Sequence, residues 1–207
     1  MQIACMENDL ICVRAPGATH RLILLHGWGA DAEDLIPLGQ ELIKGIPEKK
    51  IELLSIRAPN KHPDGFGRQW YGLFPPDWSA VPSAVIDLQI RIKALCSTSI
   101  SLEKTVMLGF SQGGAMAIAS GSDLPMAGLI GCSAYPHPDW NPPEQSPPVL
   151  LVHGRQDEVV PYDAARKLLI SFSTKKSDTD LVVFEGGHEI PPELLLNIQL
   201  FLEKWFV

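Results

Sequence analysis

The chain has 207 residues, of which 45% are hydrophobic and 20% charged, a composition that supports one sizeable core and is short for two. Its net charge of −7 argues against nucleic acid, which needs a clustered basic surface. No run approaches the roughly 18 apolar residues of a membrane span, and Met1-Gln2-Ile3-Ala4-Cys5 lacks the basic-then-apolar pattern of a secretory signal, so a cytoplasmic protein without stable membrane insertion is expected.

Along the chain, short β-branched runs alternate with amphipathic stretches, the pattern of an α/β fold with a mostly parallel sheet covered by helices on both faces. Strands are predicted at 3–6 and 10–14, close enough across Glu7-Asn8-Asp9 to form an antiparallel hairpin, and at 22–26. Asp31 or Asp34 then caps a helix that Gly45 closes. A strand at 51–56 leads into residues 60–82, rich in Pro, Gly and aromatics and read as a long loop of the kind that often carries function. Ala84, Leu88, Ile92 and Leu95 recur at helical spacing, with Asp87, Arg91 and Lys93 opposite. Strands at 106–110, 128–132, 149–152 and 181–184 follow, spaced for right-handed crossovers. Residues 191–205 form the last helix, with Leu194, Leu195, Ile198, Leu202 and Trp205 on one stripe. No repeat or linker interrupts this order, so residues 1–207 read as a single domain around an eight-stranded sheet. Cys5, Cys12, Cys96 and Cys132 form no Cys-x-x-Cys pair and read as small buried hydrophobes, as in a reducing compartment.

The chemistry gathers at strand ends. Gly109-Phe110-Ser111-Gln112-Gly113 stands between a buried strand and a helix of small residues. A serine on such a turn has a strained backbone that exposes its hydroxyl, and larger residues at the flanking glycines would collide with strand and helix. A serine hydroxyl needs a base to take its proton. Of the six histidines, His188 in Glu185-Gly-Gly-His188-Glu189 follows the last strand and lies on the same sheet edge as Ser111. His26 and His153 end strands as His-Gly pairs and read as structural, while His20, His62 and His137 fall in Pro- or Gly-rich loops and read as exposed. The base needs an acid to orient it; Asp157 and its neighbour Glu158 both follow the seventh strand. Chain order Ser, Asp, His is that of α/β-hydrolases. The oxyanion hole should use the backbone N–H groups of Gln112 and of Trp28, in the glycine-rich run His26-Gly-Trp28-Gly-Ala-Asp31. The histidines lack metal-ligand spacing, so no metal is expected.

Leu-Leu-His26-Gly-Trp-Gly-Ala-Asp, Gly67-Arg-Gln-Trp-Tyr, Gly109-Phe-Ser-Gln-Gly-Gly-Ala-Met-Ala, Val152-His-Gly-Arg-Gln-Asp157 and Gly187-His188-Glu-Ile together resemble the phospholipase/carboxylesterase family, which includes acyl-protein thioesterases. The resemblance spans nearly the whole chain. It implies an α/β-hydrolase fold, hydrolysis of a small ester or thioester through an acyl-enzyme, no cofactor, and a homodimer as candidate assembly. It selects Asp157 over Glu158 as the acid, and it puts Gln69 and Trp70 near the active site as pocket-lining residues, against the plainer reading of Trp70 as a core aromatic. The aromatics of residues 60–82 then wall an open acyl groove. A ligand-binding receptor on this fold and an acyltransferase with the same triad are the alternatives.

Overall fold

In the computed structural model, residues 3–7, 9–95 and 100–207 are described, with side chains from Asp9 onward. The elements in order are β1 (Ile3–Glu7), β2 (Leu10–Val13), β3 (His20–Leu25), α1 (Ile36–Lys44), β4 (Ile51–Ile56), the short pair β5 (Asn60–Lys61) and β6 (Arg68–Gln69), and α2 (Val81–Leu95). Then come β7 (Thr105–Phe110), α3 (Gln112–Gly121), β8 (Gly128–Cys132), β9 (Val149–Gly154), α4 (Asp163–Ser173), β10 (Thr179–Phe184) and α5 (Leu195–Trp205). The main sheet has eight strands in the order β1-β2-β4-β3-β7-β8-β9-β10. β2 is antiparallel to both β1 and β4, and every later pairing is parallel. Only β2 therefore runs against the rest. The predicted mostly parallel sheet is present, strand for strand.

Side-chain alternation along the strands divides the core in two. Leu22, Leu24, Val106 and Leu108 pack under α1 and α5, against Leu42, Ile198 and Leu202. Ile23, Leu25, Met107 and Leu129 face the other way, against Leu88 and Ile92 of α2, Met116 of α3 and Leu168 of α4. Each such side chain contributes about 1.5–3 kcal/mol on full burial, which is why these strands read as unbroken apolar runs. At the other end of β3, the buried Arg21 pairs with Glu52 of β4 at 2.9 Å and donates to Ile100 O at 3.2 Å. Losing one partner there would strand a buried charge, costing about 3–5 kcal/mol.

Three local expectations are corrected. Helix α1 begins at Ile36, not beside Asp31 or Asp34. Those carboxylates are taken up earlier: Asp34 accepts from the Asp31 N–H at 2.7 Å, and Asp31 pairs with Arg57. The 60–82 stretch is not a plain loop, since it holds β5, β6 and a 3-10 turn at Trp78–Ala80, and α2 has already begun at Val81. Finally, His20, His62 and His137 are buried, not exposed. Cys12 and Cys132 are buried free thiols as expected; the side chain of Cys5 and all of Cys96 lie outside the described residues.

Because seven strands share a direction, the chain leaves β3, β7, β9 and β10 at one edge of the sheet. In open α/β sheets that edge is where ligands bind.

Candidate active site

Ser111 is the first residue beyond β7, with φ 54° and ψ −119°, a backbone conformation that costs a non-glycine residue about 1–3 kcal/mol. The surroundings hold it there. Its N–H donates to Cys132 O at 2.8 Å, and its carbonyl accepts from the Ala115 N–H at 3.0 Å. A Cβ on Gly109 would lie 2.1 Å from Gly113 O, and one on Gly113 would lie 2.2 Å from Leu25 O. The first atom cannot move without disturbing the start of α3, nor the second without disturbing β3, so both flanking positions must be glycine.

His188 lies on the loop after β10, its Nδ1 2.8 Å from Asp157 Oδ2. A carboxylate only accepts, so Nδ1 carries the hydrogen and Nε2 is left with a lone pair whenever the ring is neutral. The ring packs on Phe110, the residue before Ser111, with centroids 4.8 Å apart. Asp157 is itself fixed: Oδ1 accepts from the N–H groups of Val159 at 3.0 Å and Val160 at 2.8 Å. Burial raises the Asp157 pKa, but the hydrogen bonds from His188 and the Val160 N–H outweigh it and hold the carboxyl below its ordinary value. Glu158, the other acid of this loop, is exposed. His153 supports the loop from beneath, its Nε2 donating to Val160 O at 2.8 Å.

The loop after β3 passes directly over the serine, for a Cβ on Gly27 would stand 3.5 Å from the Ser111 Cβ. The backbone N–H groups of Trp28 and Gln112 are taken by no acceptor among the described residues, and the latter opens helix α3. His26 braces the loop: its Nε2 accepts from the Ala58 N–H at 3.1 Å, so its Nδ1 donates to Gly27 O at 2.8 Å. Burial lowers its pKa and keeps the ring neutral.

Gln69 and Trp70 do not line the cavity at Ser111. They stand behind it. Gln69 Oε1 accepts from the Trp28 indole at 2.9 Å, and the buried Trp70 donates its indole hydrogen to His26 O at 2.9 Å. The fully buried Gln112 side chain closes this back wall, accepting from the Trp70 N–H at 3.0 Å and donating to Tyr71 O at 2.8 Å.

The cavity measures about 490 Å³, and Ser111 and His188 both line it, a volume usual for small-molecule sites. Of the five aromatics of residues 60–82, Phe74 and Trp78 form its wall. Trp70 and Tyr71 are buried behind it, and Phe66 is 83% exposed. Val159, Val160 and Pro161 from the loop that carries Asp157 also line it, as does Tyr135, whose ring packs edge-on to Trp78 with centroids 6.5 Å apart. Sequence reasoning missed these four. Tyr135 lies three residues past the end of β8, on the same sheet edge, and that position was its one available signal. A smaller cavity of about 290 Å³, lined by Leu35, Leu38, Phe110, Glu189 and Ile190, meets the other side of His188. Among the described residues no cluster of His, Cys, Asp and Glu could hold a metal, and no helix is long and apolar enough to cross a membrane.

A family model described as Phospholipase/Carboxylesterase matches residues 7–206. Acyl-protein thioesterase 1 of Yarrowia lipolytica is 27% identical over 209 residues, covering 90% of this chain and 92% of that protein. The protein of the same name from Eremothecium gossypii is 28% identical over 213 residues, covering 93% and 91%. Among solved structures, esterase PE8 superposes with a TM-score of 0.86 at 29% identity, over 94% of this chain and 97% of that one. Arabidopsis thaliana SOBER1 has a TM-score of 0.75 at 21% identity, over 92% and 100%, a likeness of fold.

Proposed function

The chain belongs to the phospholipase/carboxylesterase family and is a serine hydrolase of the esterase type, and on that premise we propose that Ser111, His188 and Asp157 are its catalytic triad. The observation that carries this is the His188 imidazole, tied at Nδ1 to Asp157 and sharing a cavity with the serine of a strained strand-to-helix turn. Ser111 Oγ attacks the acyl carbonyl while His188 Nε2 takes its proton. The oxyanion of the tetrahedral intermediate is held by the Trp28 and Gln112 backbone N–H groups, aided by the positive end of α3. The intermediate collapses to an acyl-serine, and the alcohol or thiol leaves with the proton from His188. Water then attacks the acyl-serine with His188 again as base, releasing the acid and restoring Ser111. Asp157 holds the imidazole in the required tautomer and stabilises the imidazolium. No step calls for a cofactor.

His188 must protonate the leaving group, so that group lies beside its ring. The smaller cavity borders His188 without Ser111 and suits the leaving group; the larger, with Ser111 and Trp28, then takes the acyl chain. Its apolar walls favour carboxylic esters of modest acyl length in solution, and the two thioesterase relatives support acyl thioesters as further substrates. The free buried thiols of Cys12 and Cys132 favour a cytoplasmic enzyme. A fluorophosphonate probe tests the assignment. It should label Ser111 in the native enzyme and abolish p-nitrophenyl ester hydrolysis; labelling elsewhere, or activity surviving full labelling, would overturn it.

A further inference from the structure

Behind the larger cavity runs a chain of three polar side chains that ester hydrolysis as described does not use. Tyr135 lines the cavity, and its hydroxyl lies 2.7 Å from that of Tyr71, which lies 2.8 Å from His137 Nε2. Tyr71 and His137 are buried, and the rings pack edge-on, with centroids 5.4 Å apart for His137 and Tyr71 and 6.0 Å for His137 and Tyr135. The three hold one another in place.

Such a chain has a direction, because each hydroxyl donates only one hydrogen. Its buried end sets that direction. His137 Nδ1 is enclosed and has no hydrogen-bond partner among the described residues. A buried N–H without an acceptor is rarer and costlier than a bare lone pair, so the ring hydrogen sits on Nε2. His137 then donates to the Tyr71 oxygen, Tyr71 donates to the Tyr135 oxygen, and the Tyr135 hydrogen is left over for the cavity. Burial pushes the His137 pKa down to about 4 and the Tyr135 pKa up to about 12, so these groups stay neutral across ordinary pH and the direction persists. Elsewhere around the cavity Leu73, Phe74 and Val160 are apolar and the Trp28 indole hydrogen is already given to Gln69, which leaves the Trp78 indole, edge-on to the Tyr135 ring, as the other donor among the aromatic lining residues. Among the described residues lining the cavity, Ser111 and Tyr135 carry its only hydroxyls.

We propose that Tyr135 is a specificity-determining residue of the acyl cavity, donating a hydrogen bond to an acceptor oxygen (ether, keto or second ester) on the substrate's acyl chain. Tyr71 and His137 are its positioning residues. The proposal rests on the reading of this cavity as the acyl site. An all-carbon chain would bury the Tyr135 hydrogen without a partner, whereas an oxygen at the right position satisfies it.

The test uses p-nitrophenyl esters of one chain length in which a single ether oxygen is walked along the acyl chain. Each kcat/KM is divided by that of the all-carbon ester and corrected for the two esters' rates with hydroxide. The wild-type ratio should peak at one position, by about tenfold. Tyr135→Phe should flatten that peak. Tyr71→Phe, which removes a hydroxyl that never meets the substrate, should lower it several-fold. A flat walk in the wild type, or an undiminished peak in Tyr135→Phe, overturns the proposal; the wild-type walk decides alone if the variants do not fold. Fluorophosphonate labelling of Ser111 separates the two levels. A labelled serine with a flat walk sinks this proposal only, and an unlabelled one sinks the acyl-site reading beneath it.

Discussion

Two segments border the cavity and are held in opposite ways. The turn at residues 109–113 is constrained by backbone at close range: Ser111 sits at φ 54° because Gly113 is pressed against Leu25 O and Gly109 against Gly113 O. The aromatic stretch that supplies Phe74 and Trp78 is held by side-chain hydrogen bonds, most of them to residues more than 40 positions away. Gln112 reaches Trp70 and Tyr71, Trp70 reaches back to His26, and Asn60 Nδ2 donates to Trp70 O at 3.1 Å. The proposed nucleophile thus rests on geometry that few substitutions could relax, while the cavity wall hangs from a handful of hydrogen bonds. Chemistry and selectivity should therefore fail separately.

The largest effect is expected at the turn itself. Ser111→Ala should lower ester hydrolysis by thousands-fold or more, as for a residue acting within a catalytic unit. Ser111→Gly should be equally inactive yet more stable than Ser111→Ala by roughly 1 kcal/mol, since glycine tolerates the positive φ. Ester assays and thermal melts on the two variants check both statements, and equal melting temperatures would mean that the turn is not strained.

Asp157→Asn comes next. The wrong imidazole tautomer should cost several kcal/mol of transition-state stabilisation, while Glu158→Gln, on the exposed neighbour, should be near neutral. A reversal of these two kcat/KM values would move the acid to Glu158.

Gln112→Leu probes the other segment. Its backbone N–H remains, but the Trp70 N–H and Tyr71 carbonyl lose their partner, which should destabilise the fold by about 2–4 kcal/mol in urea titration. KM should rise more than kcat falls. A pure loss of kcat would show that the wall and the chemistry are coupled after all.

A smaller effect follows from pH. The Asp157 pKa is depressed in the folded chain, so its ionised form adds stability above the ordinary aspartate range of about 4 that is lost as pH falls through the depressed value. Acid unfolding should thus be steeper in the wild type than in Asp157→Asn, as followed by circular dichroism. Smallest of all should be the response to an oil surface. The wall segment is interrupted by Pro75 and Pro76 and pinned through Asp77, whose N–H donates to Gly72 O at 2.8 Å, so it forms no amphipathic helix that could open on lipid. Tributyrin hydrolysis should pass its solubility limit without a jump in rate.

The succession of strands along the chain, the strand-end positions of Ser111, Asp157 and His188, and the glycines around the serine were legible in the sequence, whereas the order of the strands across the sheet was not. The legible features arise from short-range causes: alternation of apolar residues along a strand, spacing along a helix, and the space left to a Cβ in a tight turn. The sequence did not decide the start of α1, because the Asp31 and Asp34 carboxylates could be assigned only once Arg57 was seen beside them. Nor did it separate the aromatics of residues 60–82 into wall (Phe74, Trp78), brace (Trp70, Tyr71) and exposed surface (Phe66). The same holds for His137, which looks exposed in a Pro-rich stretch and is buried against Tyr71, 66 positions away. Long-range hydrogen bonds leave no period or spacing in the chain. Folding alone brings their two ends together, and in this protein that is what shapes the cavity wall.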